Sequence, residues 1–305
     1  MRGRILAIGE CMVELSPDGP GCYAQGFAGD TFNTAWHLRQ VLPGTWQVGY
    51  FTAVGKDPLS DAMLAFMRNS GIDTSMTERL PGAVPGLYMI ATDATGERSF
   101  TYWRGQSAAR HLADDRTALA AAIGAATHLY VSGITLAILP PAGRAMLLAE
   151  MAGARAAGKT VAFDANLRPA LWDSGRVMRD WLARAARTAT IALPTWPDEQ
   201  VLADDANPRA LAARYRAAGA AEVVVKAGAN AAWIDSDAGQ WRVAPTPMRP
   251  LDTTGAGDSF NAGYLAARCL GIPPPKAARA GHDLAARVLQ VRGALLSEPE
   301  YPGGP

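Results

Sequence analysis

With 305 residues, 49% of them apolar and 19% charged, the chain has the balance of a globular protein with a buried core, which excludes a disordered polymer. A formal net charge of +1 gives no overall attraction to nucleic acid or to an anionic membrane, so any anionic ligand must be held by a local site. The length suits one large α/β domain as well as two ordinary ones, and the cysteines Cys11, Cys22 and Cys269, without metal-ligand or CxxC spacing, point to a reducing cytoplasm.

Short β-rich apolar runs alternate with helical patterns along most of the chain, the order of a mainly parallel sheet flanked by helices. The first run, Ile5 to Ile8, is cut by Gly9 and Glu10 too soon for a secretory core. Met12 to Gly29 has no helical period and reads as a hairpin, after which Gly26-Phe27-Ala28-Gly29-Asp30-Thr31-Phe32-Asn33-Thr34 opens a helix. Asp30 and Asn33 share a face of its first turn and can offer a carboxylate and an amide to hydroxyls. The competing reading makes Asp30 an N-cap and Asn33 a solvated side chain.

Val48 to Val54 is the next strand, and Asp57 with Pro58 at the first helical position starts a helix whose Leu59, Met63, Phe66 and Met67 are expected on one face. Gly86 to Gly105 predicts a second hairpin, turning at Asp93-Ala94-Thr95-Gly96. Two hairpins inserted into an α/β chain suggest a small β lid over the ligand edge. On the second strand of that hairpin Arg98, Phe100, Tyr102 and Arg104 alternate onto one face, which Tyr88 joins from the partner strand. A guanidinium with two phenols suits a carboxylated, hydroxyl-rich ligand; a solvated arginine on an aromatic-backed strand is the competing reading.

Ala118 to Gly143 has no charged residue, yet its small residues and the Pro140-Pro141 pair read as a helix end and the strand Leu129 to Ser132 rather than a membrane span. Gly153 to Thr160 matches the P-loop spacing GxxxxGK[ST]. Its context is reversed, because a helix ends at Gly158 and the strand Thr160 to Asp164 follows. Further strands are expected at Thr190 to Leu193 and Glu222 to Lys226, with a helix opened by Asn207-Pro208. His37, His111, His128 and His282 lack metal spacing, and the tail Pro299 to Pro305 is expected to fray.

Asp252-Thr253-Thr254-Gly255-Ala256-Gly257-Asp258-Ser259-Phe260 leads into a helix with Phe260, Tyr264 and Ala267 on one side. Glycines let a ligand approach the backbone, and the unpaired N–H groups of a first helical turn attract the negative charge of phosphoryl transfer. Asp258 is placed to take a proton from a hydroxyl; a tight turn with Asp258 as helix cap is the competing reading.

The two glycine signatures, in this order, resemble those of the ribokinase-like carbohydrate kinases. The resemblance runs from Ile8-Gly9-Glu10-Cys11-Met12-Val13-Glu14-Leu15 through Leu80 to Tyr88, Gly96 to Arg104, Ser132-Gly133-Ile134 and Asp164 to Pro169, to Val291-Arg292-Gly293-Ala294. It implies a ribokinase-like α/β fold over 1–305 as one kinase domain, with lid segments at about 12–29 and 86–105. Within that family the chain is most similar to kinases of a sugar acid, 2-keto-3-deoxygluconate.

The resemblance implies Asp258 as base, with Gly255, Ala256 and Gly257 as anion hole. Substrate contacts are implied for Gly29, Asp30, Asn33, Tyr88, Tyr102, Arg104, Arg168 and Asp258. ATP contacts are implied for Asn166, Arg168, Lys226, Gly228, Ala229, Asn230 and the 255–257 turn. Mg²⁺ would bridge the phosphates mainly through water with Glu199 as its acidic partner, and some relatives also need a monovalent cation. The chain departs from the family pattern at Ala28 and Ala231, where glycine is common, and in an Asn-x-x-Glu motif kept only as Trp196-Pro197-Asp198-Glu199. The expected partners are a small sugar acid and ATP, in a homo-oligomer, with no nucleic acid or membrane. Fructose or 2-ketogluconate is the nearest alternative acceptor, and a catalytically silent sugar-binding regulator is the alternative of another class.

Overall fold

In the computed structural model, which describes residues 3–92 and 98–297, the first strand sends alternate side chains into two different cores. Ile5 and Ala7 join Phe32, Tyr50 and Tyr264 on one face, while Leu6 and Ile8 join Leu129, Leu147 and Phe163 on the other. Burial on both faces is why such strands read as unbroken apolar runs.

In chain order the elements are β1 (Gly3–Ile8), β2 (Met12–Pro17), β3 (Tyr23–Ala28), α1 (Asp30–Val41), β4 (Trp46–Phe51), β5 (Ala53–Val54), α2 (Pro58–Asn69), β6 (Glu78–Arg79), β7 (Leu87–Thr92) and β8 (Arg98–Trp103). Then follow α3 (Arg116–Ala125), β9 (His128–Ser132), α4 (Gly133–Ile138), α5 (Pro141–Ala156), β10 (Thr160–Asp164), α6 (Gly175–Thr188), β11 (Ile191–Ala192) and α7 (Trp196–Glu199). The last are α8 (Pro208–Ala217), β12 (Glu222–Val225), β13 (Ala232–Ser236), β14 (Gly239–Val243), α9 (Ala256–Cys269) and α10 (Pro274–Val288). The main sheet has eight strands in the order β14-β13-β12-β11-β10-β9-β1-β4. It is parallel from β12 to β4 and antiparallel at β13 and β14, with helices on both faces. Each main-sheet strand expected from the sequence is found there, except that the expected Val48 to Val54 strand breaks at Thr52 and its end, β5, pairs with β6 in a separate two-stranded sheet. The strands β13 and β14 are additional, in a stretch to which Asp235, Ser236 and Asp237 give the polarity of a loop.

Both expected hairpin pairings are present, β2 with β3 and β7 with β8, and they join into one four-stranded sheet, β3-β2-β7-β8, in which β2 pairs in parallel with β7 at Glu14↔Tyr88. The turn expected at Asp93 to Gly96 and the tail Pro299 to Pro305 lie outside the described residues.

Helix starts follow their local chemistry. Asp57 accepts hydrogen bonds from Leu59 N at 3.0 Å and Ser60 N at 3.1 Å, and Asn207 accepts one from Ala210 N at 3.0 Å. On α2 the buried stripe is Ser60, Met63, Leu64 and Met67, with Phe66 partly covered and Leu59 exposed. That stripe starts one residue after the position expected for Leu59, a rotation of about 100°. No helix among the described residues is long and apolar enough to cross a membrane, and Ala118 to Gly143 is divided among α3, β9, α4 and the start of α5.

The P-loop-like stretch joins the end of α5 to β10, with Gly158 left-handed at φ 79°. Lys159 Nζ donates to Ile123 O at 2.8 Å and Gly124 O at 2.7 Å, so it caps the carbonyl end of α3. Lys159→Ala is therefore expected to leave nucleotide affinity and turnover unchanged while lowering stability by about 1 kcal/mol. Loss of nucleotide binding in a folded Lys159→Ala protein would contradict this placement.

Candidate active site

Parallel strands bring their carboxyl ends to one edge of the sheet, where open α/β folds hold ligands. Asp164 ends β10, Ser132 ends β9, Glu10 follows β1 and Lys226 follows β12. The first turns of α1 and α9 meet there, so two positive helix ends converge on one spot.

The α9 turn requires glycine at one point, Gly255, and has open space beside a second, Gly257. Gly255 is the N-cap residue at φ 74°, and a side chain there would begin 2.8 Å from the Ala294 methyl. A side chain on Gly257 would begin in open space, with the Lys226 ammonium as its nearest neighbour at 3.9 Å. The first-turn N–H groups beside Gly257 and the Lys226 charge thus face one small volume.

Asp258, part-buried on the same turn, accepts a hydrogen bond from Asn33 Nδ2 at 2.8 Å through Oδ2. Asn33 is held in turn, its Oδ1 accepting from Gly29 N at 3.2 Å. Gly29 is kept small by contact, since a side chain there would begin 2.2 Å from Glu10 O. Withdrawal from water pushes the Asp258 carboxyl up, the charge of Asp30 adds to this, and the Asn33 hydrogen bond opposes it, leaving it at about 7. Burial likewise raises Asp30. Asp258 therefore sits near the value that suits a proton acceptor at neutral pH.

Sequence reasoning assigned Asn33 to hydroxyls and Asn166 to the nucleotide; the geometry gives both a further task. Asn33 orients Asp258, and Asn166 Nδ2 donates to Asp30 Oδ2 at 3.0 Å from a backbone at φ 34°. Asp164 was not singled out as a site residue. Its Oδ2 accepts from Lys226 Nζ and Asn261 Nδ2, each at 2.7 Å, and Asn261 also reaches the Tyr130 hydroxyl at 3.0 Å. These partners lie far apart in sequence, and only the position of Asp164 at a strand end was available as a signal.

On the facing side stands the four-stranded sheet. Tyr88 lies opposite Tyr102 with ring centroids 5.8 Å apart, and Arg104 is 5.9 Å from the Tyr102 ring. The face expected from strand alternation is therefore present, with two additions from β2 and its approach. The Tyr88 hydroxyl donates to Glu14, and Arg104 pairs with the buried Glu10. Arg168 is half exposed, donates to Leu167 O at 2.6 Å and lies 3.8 Å from Asp198.

A separate cavity of about 350 Å³ opens on the other side of the α9 turn. Lys226, Gly228, Ala229, Ala256 and Gly257 form one end, and Pro245, Pro247, Met248, Ala286 and Leu289 make its walls apolar. His282 also lines it, with Nε2 donating to Val243 O at 2.9 Å and burial lowering its pKa. Asn166, Arg168 and Asn230 are not among its lining residues.

The expectation for Glu199 is corrected. Its carboxylate is fully buried and both oxygens are used, one by Arg214 at 2.7 Å and one by the Tyr215 hydroxyl at 2.6 Å. The adjacent Asp198 is the acidic group that faces the site: burial raises its pKa, and the charges of Arg168, Asp164 and Lys226 are felt there. One helical position, about 100°, separates the two carboxylates, which spacing alone did not resolve. Among the described residues no cluster of acidic, histidine and cysteine side chains encloses a metal.

The model of the pfkB family carbohydrate kinases matches residues 2–300. The 2-dehydro-3-deoxygluconokinase of Escherichia coli strain K12 is 41% identical over 310 residues, covering 99% of this chain and 100% of that protein. A fructokinase of Klebsiella pneumoniae is 31% identical over 97% of this chain and 94% of its own. Among solved structures, a PfkB protein from Polaromonas superimposes with a TM-score of 0.83 at 32% identity, covering 94% of this chain and 96% of that one.

Proposed function

The chain belongs to the pfkB family of carbohydrate kinases, and from that premise we propose that it transfers the γ-phosphoryl group of ATP to the terminal hydroxyl of 2-keto-3-deoxygluconate, also called 2-dehydro-3-deoxygluconate. The observation that carries the chemistry is Asp258, held by Asn33 at the amino end of α9 beside Lys226. In this reading Asp258 orients and deprotonates the acceptor hydroxyl. The N–H groups of the Gly255–Gly257 turn and Lys226 stabilise charge gathering on the transferred phosphoryl group. The apolar cavity takes the base of ATP, with its phosphates toward Gly257.

Mg²⁺ fits this donor set as a partner of the ATP phosphates, because it keeps most of its waters and needs few carboxylates. Asp198 and its waters would hold it, and it would neutralise phosphate charge. The four-stranded sheet serves as the lid, excluding water from the reaction, within one kinase domain. A cytoplasmic location goes with the unpaired thiols of Cys11, Cys22 and Cys269. A homo-oligomer belongs to the same reading and is checked by light scattering on the purified protein.

The acceptor is assigned from the 41% identical kinase together with Tyr88, Tyr102 and Arg104, a face with a cation for a carboxylate and phenols for hydroxyls. Release of ADP measured with 2-keto-3-deoxygluconate, its galactonate epimer, 2-ketogluconate, ribose and fructose tests this. The highest kcat/KM is expected for 2-keto-3-deoxygluconate; a preference for fructose would overturn the acceptor, and no ADP with any sugar would leave a binding protein. Exchanging K⁺ for tetramethylammonium in the same assay reveals any need for a monovalent cation.

A further inference from the structure

One partly buried carboxylate near the anion hole, Asp252, takes no part in that mechanism. Asp252 accepts from Thr254 N at 3.0 Å and Thr254 Oγ1 at 2.8 Å through Oδ1, and from Gly293 N at 2.8 Å through Oδ2. It therefore ties the approach to Gly255 to the loop whose Ala294 packs against Gly255. Its remaining partner comes from the lid. Arg98, the first residue of β8, pairs with Asp252 Oδ2, and its Nη1 also lies 3.3 Å from Thr254 Oγ1.

The pair is sheltered, with side-chain exposures of 22% for Arg98 and 8% for Asp252. Burial raises the Asp252 carboxyl, but hydrogen bonds from Gly293 and Thr254 and the charge of Arg98 outweigh it and hold the group below the usual carboxylate range. Arg98 reaches across a cleft of about 710 Å³, also lined by Glu14, Phe100 and Arg292, that separates this part of the lid from the turn. The lid thus grips the turn through a charged, forked side chain rather than through packing. A turn rich in glycine needs such a tie, because donors that stabilise a developing charge must be fixed before the reaction.

We propose that Arg98 is a positioning residue: through Asp252 it fixes the Asp252–Gly257 turn, so that the anion hole is fully ordered only with the lid seated over the sugar. The inference rests on reading Gly255–Gly257 as the anion hole. It couples substrate covering to phosphoryl transfer, and it makes the kcat step depend on a residue that touches neither substrate.

The test measures kcat, both KM values and the dissociation constant of MgATP without sugar for wild type, Arg98→Ala, Arg98→Lys, Asp252→Asn and the Arg98→Ala/Asp252→Asn pair, with thermal melting as the fold control. Arg98→Ala is expected to lower kcat roughly tenfold to a hundredfold, with MgATP binding unchanged and part of kcat regained in Arg98→Lys. The double variant should lose no more than the worse single one, because both break the same link. Unchanged kcat in Arg98→Ala, an effect confined to the sugar KM, or losses that multiply would overturn the proposal. Asp258→Asn in the same series separates the two levels. Wild-type turnover there removes Asp258 as base and with it the reading of the α9 turn as the catalytic centre, whereas a large loss there beside an unaffected Arg98→Ala removes only the positioning role.

Discussion

Asp258→Asn is expected to lower kcat by ~10²–10⁴-fold while leaving the fold and nucleotide binding in place, because the amide keeps the shape and loses the proton acceptor. The pH dependence follows from the same group. Asp258 acts unprotonated, and its carboxyl is pushed up to about 7, so kcat/KM for the sugar should rise about tenfold per pH unit below that value and level off above it.

Stability should move the other way. A carboxyl whose folded value lies above its unfolded one, roughly 3.9, stabilises the fold while protonated, and that contribution disappears as the pH rises through the folded value. Above neutrality the wild-type protein therefore carries the repulsion among Asp258, Asp30 and Asp164, which the asparagine variant lacks at position 258. At pH 8 the variant should melt no lower than wild type while being far slower. Near wild-type kcat would leave Asp258 as an acidic residue of the first turn of α9 with no catalytic role, and a large drop in melting temperature would show that its charge supports the fold.

The second large effect concerns the substrate carboxylate. Arg104→Ala is expected to reduce kcat/KM for 2-keto-3-deoxygluconate by about tenfold to a hundredfold, the value of about 1.5–3 kcal/mol for a hydrogen bond to a charged group. A slow neutral sugar such as fructose should lose much less. Because Arg104 also pairs with buried Glu10, its removal leaves that carboxylate without its cation, so the comparison between acid and neutral sugar carries the information rather than either rate alone. Equal losses for both sugars would make Arg104 a support of the lid base through Glu10, and the preference for a sugar acid would then need another cation.

The parts of this arrangement written locally were legible in the sequence. The apolar runs of the parallel strands, the caps at Asp57 and Asn207, and the reversed order around Lys159 each depend on neighbours within a few residues. The α9 turn was recognisable for the same reason, since Gly255, Gly257 and Asp258 are contiguous. What stayed hidden depends on contacts across the fold. Asn166 meets Asp30, Lys226 meets Asp164, and Arg98 meets Asp252, each pair separated by more of the chain than any pattern spans. Joining the two hairpins into one sheet required the parallel pairing of β2 with β7, which neither hairpin encodes alone. The inward direction of Glu199, the only acidic partner for Mg²⁺ that the sequence pointed to, is set by Arg214 and Tyr215, which claim it for the interior.

The most direct test of the central claim is the position of the phosphate in the product. Wild-type protein incubated with ATP, Mg²⁺ and 2-keto-3-deoxygluconate, followed by phosphorus NMR coupled to the sugar protons, should show a single monoester on the terminal C6 oxygen formed in step with ADP. A phosphate on another oxygen would contradict the orientation of the sugar toward Asp258. ADP formed with the sugar left unphosphorylated would contradict sugar phosphorylation altogether.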